Sequence, residues 1–327
     1  MKTLIKLLFF SSFIFCNKVF SQEIEFQKNN FADSISINKN IPNLAKKVIE
    51  IYKEENLGTF NDNLFRLKLV AKEHKTITSL LRETSQASYN DSIANRGVGF
   101  AYRVYANAMS NNPTNSDDFV LKFKNQFYKL YNTLDEKNQV VAEMYYDKNS
   151  NQLREALLEK IKSVESKEKI SIDEAISICR AYCSYITFSS TLKAAKEILN
   201  VIANEKYIID ENIILTMKDG GTIAVTLVRN RKIETPQPVV FMSNIYAGSD
   251  LSACKEMVTR GFVGVIANTR GKRLSQSIIE PFEHDADDIY EVIDWISKQN
   301  WCNGKIGMYG GSYLGFAQWS ATKKMHP

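Results

Sequence analysis

A serine set among glycines near the end of the chain has the residue types and spacing of a nucleophile. Segment 310–315 is Gly-Gly-Ser-Tyr-Leu-Gly, with Ser312 as its serine, and it lies between an apolar run and a helical pattern. A sharp turn from strand to helix pushes a serine hydroxyl out of the sheet, and neighbours without side chains let the helix pack close to the strand. We therefore predict that Ser312 attacks an ester or amide carbonyl and becomes acylated.

The glycine spacing departs from the commonest form of this turn. In the pattern G-x-S-x-G the second glycine would stand at Leu314, whereas here Gly315 comes one residue later. A glycine-rich segment by itself is more often only a turn. The prediction for Ser312 therefore depends on the elements that precede it.

Those elements predict a mostly parallel sheet. Apolar residues alternate with polar ones on both sides of the turn 218–221, which indicates a hairpin. Three apolar runs typical of strands buried on both faces follow, separated by helical patterns, at 239–242, 263–267 and 306–309. Strands that alternate with helices form right-handed crossovers. The predicted fold class is therefore α/β, with an N-terminal hairpin.

The earlier part of the chain has a different composition. Only three of the 14 glycines precede position 200, and apolar residues recur there at helical spacing. Ser171 and Glu174 have the spacing of a capping box, which predicts the start of a helix. We predict an all-α helical domain over residues 22–205 and the first part of an α/β domain over residues 206–327.

The first 21 residues have the pattern of a cleaved secretory signal. A basic start over 1–6 precedes an apolar run over 7–16, and small residues stand at the −3 and −1 positions of a cleavage site after Ser21. The apolar run is too short to span a bilayer comfortably, and no other stretch is long enough. We predict a secreted or periplasmic protein without a membrane span after cleavage; a buried N-terminal helix or an uncleaved anchor is the alternative.

The charge balance argues against a nucleic-acid partner. The chain has 42 basic and 37 acidic side chains, a net charge of +5. Lys2, Lys6 and Lys18 lie in the leader, so 39 basic residues remain against 37 acidic ones. A nearly neutral protein lacks the basic surface that binds phosphates. No pattern predicts an oligomeric state.

Neither a metal nor another cofactor is predicted. Cys179 and Cys183 are four residues apart in a helical pattern, but the chain has only three histidines, so small core residues are the favoured interpretation. Six titratable side chains cluster where a helix is predicted to begin, and the helix dipole favours acids there without any ion. They are Glu280, Glu283, His284, Asp285, Asp287 and Asp288.

Several motifs, taken in order, resemble those of one family. The turn region reads YGGSYLGFAQW over 309–319, after DWI at 294–296 and WCNGKIGM at 301–308. The further matches are Thr269-Arg270-Gly271, Ser275, Pro281-Phe282 and His326-Pro327. From about residue 208 onward the chain thus resembles the cocaine esterase/X-Pro dipeptidyl-peptidase family of serine hydrolases, which has the α/β-hydrolase fold. In that family the nucleophile turn has the pattern G-x-S-Y-x-G. Leu314 then occupies the variable position before the last glycine, Gly315.

The resemblance implies a site and a class of substrate. Ser312 would be the acylated nucleophile, and the oxyanion hole would combine the backbone N–H of Tyr313 with the phenol of Tyr246. Tyr246 follows the first predicted parallel strand, where the family has its oxyanion tyrosine; an ordinary aromatic residue at a strand end is the alternative. The substrate would be a small ester or amide, or a peptide. Asn268 and the pair 276–277 depart from the family, which usually has Asp and Glu-Gly there.

The other members of a catalytic triad are absent from their usual place. In this fold the acid and the base follow the nucleophile, but only fifteen residues follow Ser312 and none is Asp or Glu. His326 would lie at the far end of the next helix, roughly 20 Å away by the helical rise. We expect the acid and the base beyond the end of this chain, in a longer exported serine hydrolase, and little turnover from this chain alone. The alternative is a helical binding module fused to a non-catalytic, hydrolase-like half.

Overall fold

A group of helices precedes a mixed sheet in this protein. The computed structural model describes residues 23–27, 31, 33–77, 79–81, 94–324 and 326. The predicted secretory leader, residues 1–21, lies outside the described residues. Among the helices within those ranges, none is both long enough and apolar enough to cross a membrane.

Helices make up most of the described chain before residue 207. Their bounds are α1 Ser34–Ile51, α2 Leu57–Val70, α3 Ala94–Ser110, α4 Ser116–Tyr131, α5 Glu136–Met144, α6 Ser150–Lys162 and α7 Ile172–Lys206. Ser171 and Glu174 form both hydrogen bonds of the predicted capping box at the start of α7. The helices pack around a core rich in aromatic rings, among them Phe100, Phe127 and Tyr146.

A small sheet lies within the part that the sequence predicted as all-α. Strands β1 (Glu23–Glu25) and β2 (Lys169–Ser171) pair antiparallel, with Ile24 opposite Ile170. Both isoleucines are buried against the helical core. Strands of three residues are too short for their alternation to stand out in a sequence. The prediction of an all-α part was therefore wrong at these two strands.

The second part of the chain forms a five-stranded mixed sheet. Its strands are β3 Tyr207–Thr216, β4 Thr222–Asn230, β5 Gln237–Asn244, β6 Val263–Asn268 and β7 Cys302–Met308. Their spatial order is β3-β4-β6-β5-β7. β3 and β4 form an antiparallel hairpin, β4 is antiparallel to β6, and β5 is parallel to both β6 and β7. The predicted hairpin and the three predicted parallel strands are confirmed.

Three helices cover the two faces of this sheet. They are α8 Asp250–Val258, α9 Asp285–Ser297 and α10 Tyr313–Ala321. Phe241 and Val265 pack in one cluster with Ile289 of α9, whereas Ile266 packs on the other face with Met257 of α8. Because successive residues of the strands meet opposite layers, the parallel strands are apolar throughout. The loops that follow β5, β6 and β7 lie at one edge of the sheet, where sites form in open α/β folds.

Candidate active site

Ser312 lies in the turn between β7 and α10, directly before the helix begins. Its φ is 54° and its ψ is −130°, a combination that non-glycine residues rarely adopt. Such a conformation costs roughly 1–3 kcal/mol and persists only where the surrounding structure enforces it. The residue is also exposed. Ser312 therefore has the strained, accessible position that the sequence predicted for a nucleophile.

Gly310 makes this turn possible in two ways. Its φ is 143°, in the region that favours glycine. A Cβ at this position would lie 2.4 Å from Leu314 Cβ, far inside contact distance. By contrast, a Cβ on Gly315 would come no nearer than 3.5 Å, to the Gly310 carbonyl oxygen. The close approach of helix to strand that the sequence suggested thus depends on Gly310 and not on Gly315.

Tyr246 lies beside the serine, in the loop that follows β5. Its hydroxyl is 3.1 Å from Ser312 Oγ, and either oxygen can donate. The side chain is 61% exposed, and its backbone N–H donates to Asn244 Oδ1 at 2.9 Å. The structure therefore brings together two side chains that are 66 positions apart in sequence, as the family resemblance implied.

Tyr313, the residue after the serine, opens helix α10. The N–H groups of the first helical turn have no partner within their own helix. The phenol of Tyr313 donates a hydrogen bond to Asp285 Oδ2 at 2.8 Å and accepts one from the Phe282 N–H at 3.0 Å. Burial, with the hydrogen bond to Asp285, raises the pKa of Tyr313 to about 12. The sequence assigned a role only to the backbone of Tyr313, whereas its side chain also ties α10 to the start of α9.

Three aromatic rings, those of Phe282, Tyr313 and Phe316, pack against one another next to the turn. The ring of Phe282 lies 4.9 Å from the rings of both Tyr313 and Phe316, between centroids. Phe282 is 59% exposed, and Trp319 on α10 is more exposed still. Aromatic side chains left in water beside a candidate nucleophile provide an apolar surface for a substrate.

The histidines have partners away from Ser312. His284 Nε2 lies 3.0 Å from Glu280 Oε2, and His326 Nε2 lies 3.5 Å from Asp294 Oδ1. His74, in the helical part, packs edge-on against Tyr105. None of these contacts includes the serine. Throughout the portion that the structure describes, no group of three or more His, Cys, Asp or Glu side chains could hold a metal ion.

The acids at the start of α9 serve ion pairs and hydrogen bonds. Asp288 accepts hydrogen bonds from the Arg270 guanidinium at 2.6 Å and 2.9 Å. Asp219 Oδ2, in the hairpin turn, lies 2.8 Å from Nη1 of the same guanidinium. Arg270 therefore fastens the hairpin to α9. The Asp285 carboxylate accepts from Tyr313. Two members of the acidic cluster noted in the sequence, Asp285 and Asp288, thus link α9 to α10 and to the loop after β6.

Comparisons with known proteins match part of the chain. Residues 219–327 match the family model described as X-Pro dipeptidyl-peptidase (S15 family). The cocaine esterase of Rhodococcus sp. (strain MB1 Bresler) is 36% identical over 123 residues, which are 36% of this chain and 21% of that enzyme. A CocE/NonD family hydrolase from Staphylococcus aureus is 27% identical, over 35% of this chain and 24% of its own, with a TM-score of 0.32. An alpha-amino acid ester hydrolase is 25% identical, over 38% of this chain and 24% of its own, with a TM-score of 0.33.

The family model and the curated relative agree on one class of protein, since both are named for hydrolysis of peptides or esters. Residues 219–327 are thus similar to the X-Pro dipeptidyl-peptidase family, and the chain is similar to cocaine esterase, which agrees with the resemblance that the motifs predicted. The chain spans about a fifth of the length of the curated relative it matches, 21%.

Proposed function

We propose that this chain is the N-terminal part of an exported serine hydrolase that cleaves ester or amide bonds through an acyl-Ser312 intermediate. The single observation that carries the proposal is the hydroxyl of Tyr246, 3.1 Å from the Oγ of a serine held in a strained turn. Export rests on the pattern of the first 21 residues. The family of the segment around Ser312 supports the reaction class.

In the proposed reaction, Ser312 Oγ gives its proton to a base and attacks the carbonyl carbon, and the carbonyl oxygen becomes negatively charged. Collapse of this oxyanion breaks the ester or amide bond, the alcohol or amine leaves with that proton, and water later releases the acid from acyl-Ser312. The N–H of Tyr313 and the hydroxyl of Tyr246 donate hydrogen bonds to this oxyanion. Donors fixed before the reaction need no reorganisation when the charge develops, which is why they lower the barrier. Loss of one such donor costs about 3–4 kcal/mol at comparable sites, so we expect Tyr246→Phe to lower kcat by about 100-fold to 1000-fold.

The proton of Ser312 requires a base, and we assign this base to a residue that the chain does not contain. Each of the three histidines has partners elsewhere in the structure. The acids nearest in sequence to the turn, on α9, are engaged with Tyr313, Arg270 and Lys298. The proposal therefore places the histidine and the acid of the triad in a further part of the protein, and little turnover in the 327-residue chain alone.

The proposed substrates are small esters, amides or peptides with an apolar group near the reacting carbonyl. Phe282 and Phe316 expose aromatic surface next to the turn that holds Ser312. The helical part, residues 22–205, is proposed to be a separate domain, joined to the sheet where α7 passes into β3. Neither a cofactor nor a nucleic-acid partner is part of the proposal.

Hydrolysis of a p-nitrophenyl ester by the complete protein tests this function. Ser312→Ala should lower kcat by at least 1000-fold, because no other group can form the acyl intermediate. Ser297→Ala, an exposed serine at the end of α9, is the matched control and should keep the wild-type rate. If Ser312→Ala retains the wild-type rate, or if the complete protein hydrolyses neither esters nor peptides, the proposed function is wrong.

A further inference from the structure

Asp250 is a fully buried carboxylate at a junction of three elements. It is the first residue of α8, and its side chain is 0% exposed. Asn244 Nδ2 donates to its Oδ1 at 3.1 Å, and Asn268 Nδ2 donates to its Oδ2 at 2.7 Å. Asn244 and Asn268 are direct partners in the register of β5 and β6, and each is the last residue of its strand. One carboxylate thus fastens together the ends of two adjacent parallel strands and the start of a helix.

A buried carboxylate is stable only where its charge is compensated. Here two amide donors bind the two oxygens, and the N-terminus of α8 supplies a positive dipole end. Arg273 Nη1 lies 3.8 Å from Oδ2 and also pairs with Glu211 at 3.3 Å. A hydrophobic side chain in place of Asp250 would fill this junction without the free-energy cost of burying a charge. Packing alone therefore does not explain the carboxylate.

The amide of Asn244 connects Asp250 to the candidate oxyanion tyrosine. While Asn244 Nδ2 donates to Asp250, Asn244 Oδ1 accepts the backbone N–H of Tyr246 at 2.9 Å. The amide plane is therefore fixed at both ends. Any rotation of the Asn244 side chain that follows loss of the carboxylate removes the hydrogen bond that holds the backbone of Tyr246.

The loop that carries Tyr246 needs such support. Ala247, the next residue, has a φ of 48°, in the left-handed region that a residue with a Cβ seldom adopts. The Tyr246 side chain is largely exposed, so packing does little to fix its hydroxyl. A strained backbone persists only where other interactions determine it. The hydrogen bonds of the Asn244 amide to the Tyr246 N–H and to Asp250 are among the interactions that hold the Tyr246 hydroxyl 3.1 Å from Ser312 Oγ.

We propose that Asp250 is a positioning residue for the oxyanion hole, acting through the Asn244 amide on the backbone of Tyr246. The inference rests on the proposed function, since it assigns Asp250 to act on a hydroxyl whose catalytic role is itself proposed. It explains why Asn268 stands at the end of β6. An aspartate there would face a second buried carboxylate, whereas the asparagine donates to it.

The test is a double-mutant cycle in the complete protein. Asp250→Asn keeps the shape of the side chain but places an amide where two amide donors now converge. We expect kcat to fall by about 10-fold to 100-fold, the loss typical of a catalytic group displaced by a fraction of an ångström to 1 Å, with KM within about twofold of wild type. In the Tyr246→Phe background the same substitution should change kcat by less than about twofold, because the hydroxyl it positions is gone.

Asp288→Asn is the matched control, since Asp288 is also a buried carboxylate but pairs with Arg270. Any effect of Asp288→Asn on kcat should be the same with and without Tyr246→Phe. An equal loss from Asp250→Asn in both backgrounds would show that Asp250 is only structural, and the inference would be wrong.

Amide hydrogen exchange gives a second measurement that does not depend on activity. On the 327-residue chain, Asp250→Asn should speed exchange of the Tyr246 N–H by about tenfold or more, while the Ile266 N–H in the middle of β6 exchanges as in wild type. Unchanged exchange at Tyr246 would overturn the inference. If instead Ser312→Ala keeps full activity, the proposed function fails by itself, and the exchange measurement still decides whether Asp250 holds the loop.

Discussion

The candidate chemistry depends on single residues that hold uncommon backbone conformations. Ser312 and Ala247 both have positive φ, at 54° and 48°; Ser312 carries one of the two hydroxyls that meet at the site, and Ala247 follows Tyr246, which carries the other. Strain at these positions must be balanced by the surrounding fold. Gly310 allows the close packing that stabilises the turn, because its missing side chain leaves room for Leu314 of α10.

The two glycines before the serine should respond differently to the same substitution. Gly310→Ala places a methyl group 2.4 Å from Leu314 Cβ at a φ of 143°, so we expect the turn to shift and activity of the complete protein to fall by more than about 100-fold. Gly311→Ala is the control, because its methyl group would meet nothing within 4 Å. Esterase assays of the two purified variants check this prediction. Equal activity in both would show that the turn does not depend on Gly310.

Among the elements, close contact between α8 and β6 determines the position of the loop 245–249, which carries Tyr246. A Cβ at Gly264 in β6 would lie 2.5 Å from the Cys254 carbonyl oxygen and 2.7 Å from Cys254 Cα in α8. These are backbone atoms of a helix, which cannot move aside locally. Because α8 begins at Asp250, the distance between helix and strand also determines where the end of the loop lies.

Gly264→Ala should therefore push α8 away from the sheet. We expect the free energy of unfolding to fall by about 1–3 kcal/mol, the usual cost of overpacking, as measured by urea denaturation. Gly307→Ala in β7 is the matched control in a strand, since its methyl group would meet nothing within 4 Å. A loss of stability from Gly307→Ala as large as that from Gly264→Ala would contradict the argument from close packing.

The elements that the sequence predicted well are those with a local signal. The hairpin, the three parallel strands and the capping box at Ser171 follow from apolar periodicity and turn chemistry within short windows. The family motifs led to Tyr246 beside Ser312. Asp250 and the phenol of Tyr313 were missed because their roles arise from partners that the fold brings together: Asn268 for the first and Asp285 for the second. The pair β1 and β2 was missed because each strand has only three residues.

At the scale of the whole molecule, a buried ion pair joins the helical part to the sheet. Lys255 Nζ of α8 lies 2.7 Å from Glu143 Oε2 of α5, and the two side chains are only 9% and 7% exposed. Tyr131 donates to the other carboxylate oxygen of Glu143 at 2.6 Å. Removal of one charge from such a pair leaves the other buried without compensation, which costs more than removal of both.

Lys255→Met should lower the free energy of unfolding by about 3–5 kcal/mol. The double variant Lys255→Met/Glu143→Leu should recover most of this loss, because no unpaired charge remains. Arg260→Met on the same helix is the control: its pair with Glu256 is exposed and is worth less than about 1 kcal/mol. Chemical denaturation measures all three. If the double variant is less stable than Lys255→Met, the ion pair is not the group that joins the two parts.

Covalent labelling of the complete protein tests whether Ser312 is the nucleophile of a serine hydrolase. A fluorophosphonate reacts with an activated serine, and digestion followed by mass spectrometry identifies the modified residue. We expect one adduct in the complete protein, on the peptide that contains Ser312. Labelling should be slower in Tyr246→Phe and absent in Ser312→Ala. An adduct on another serine, or equal labelling of wild type and Ser312→Ala, would contradict this role of Ser312.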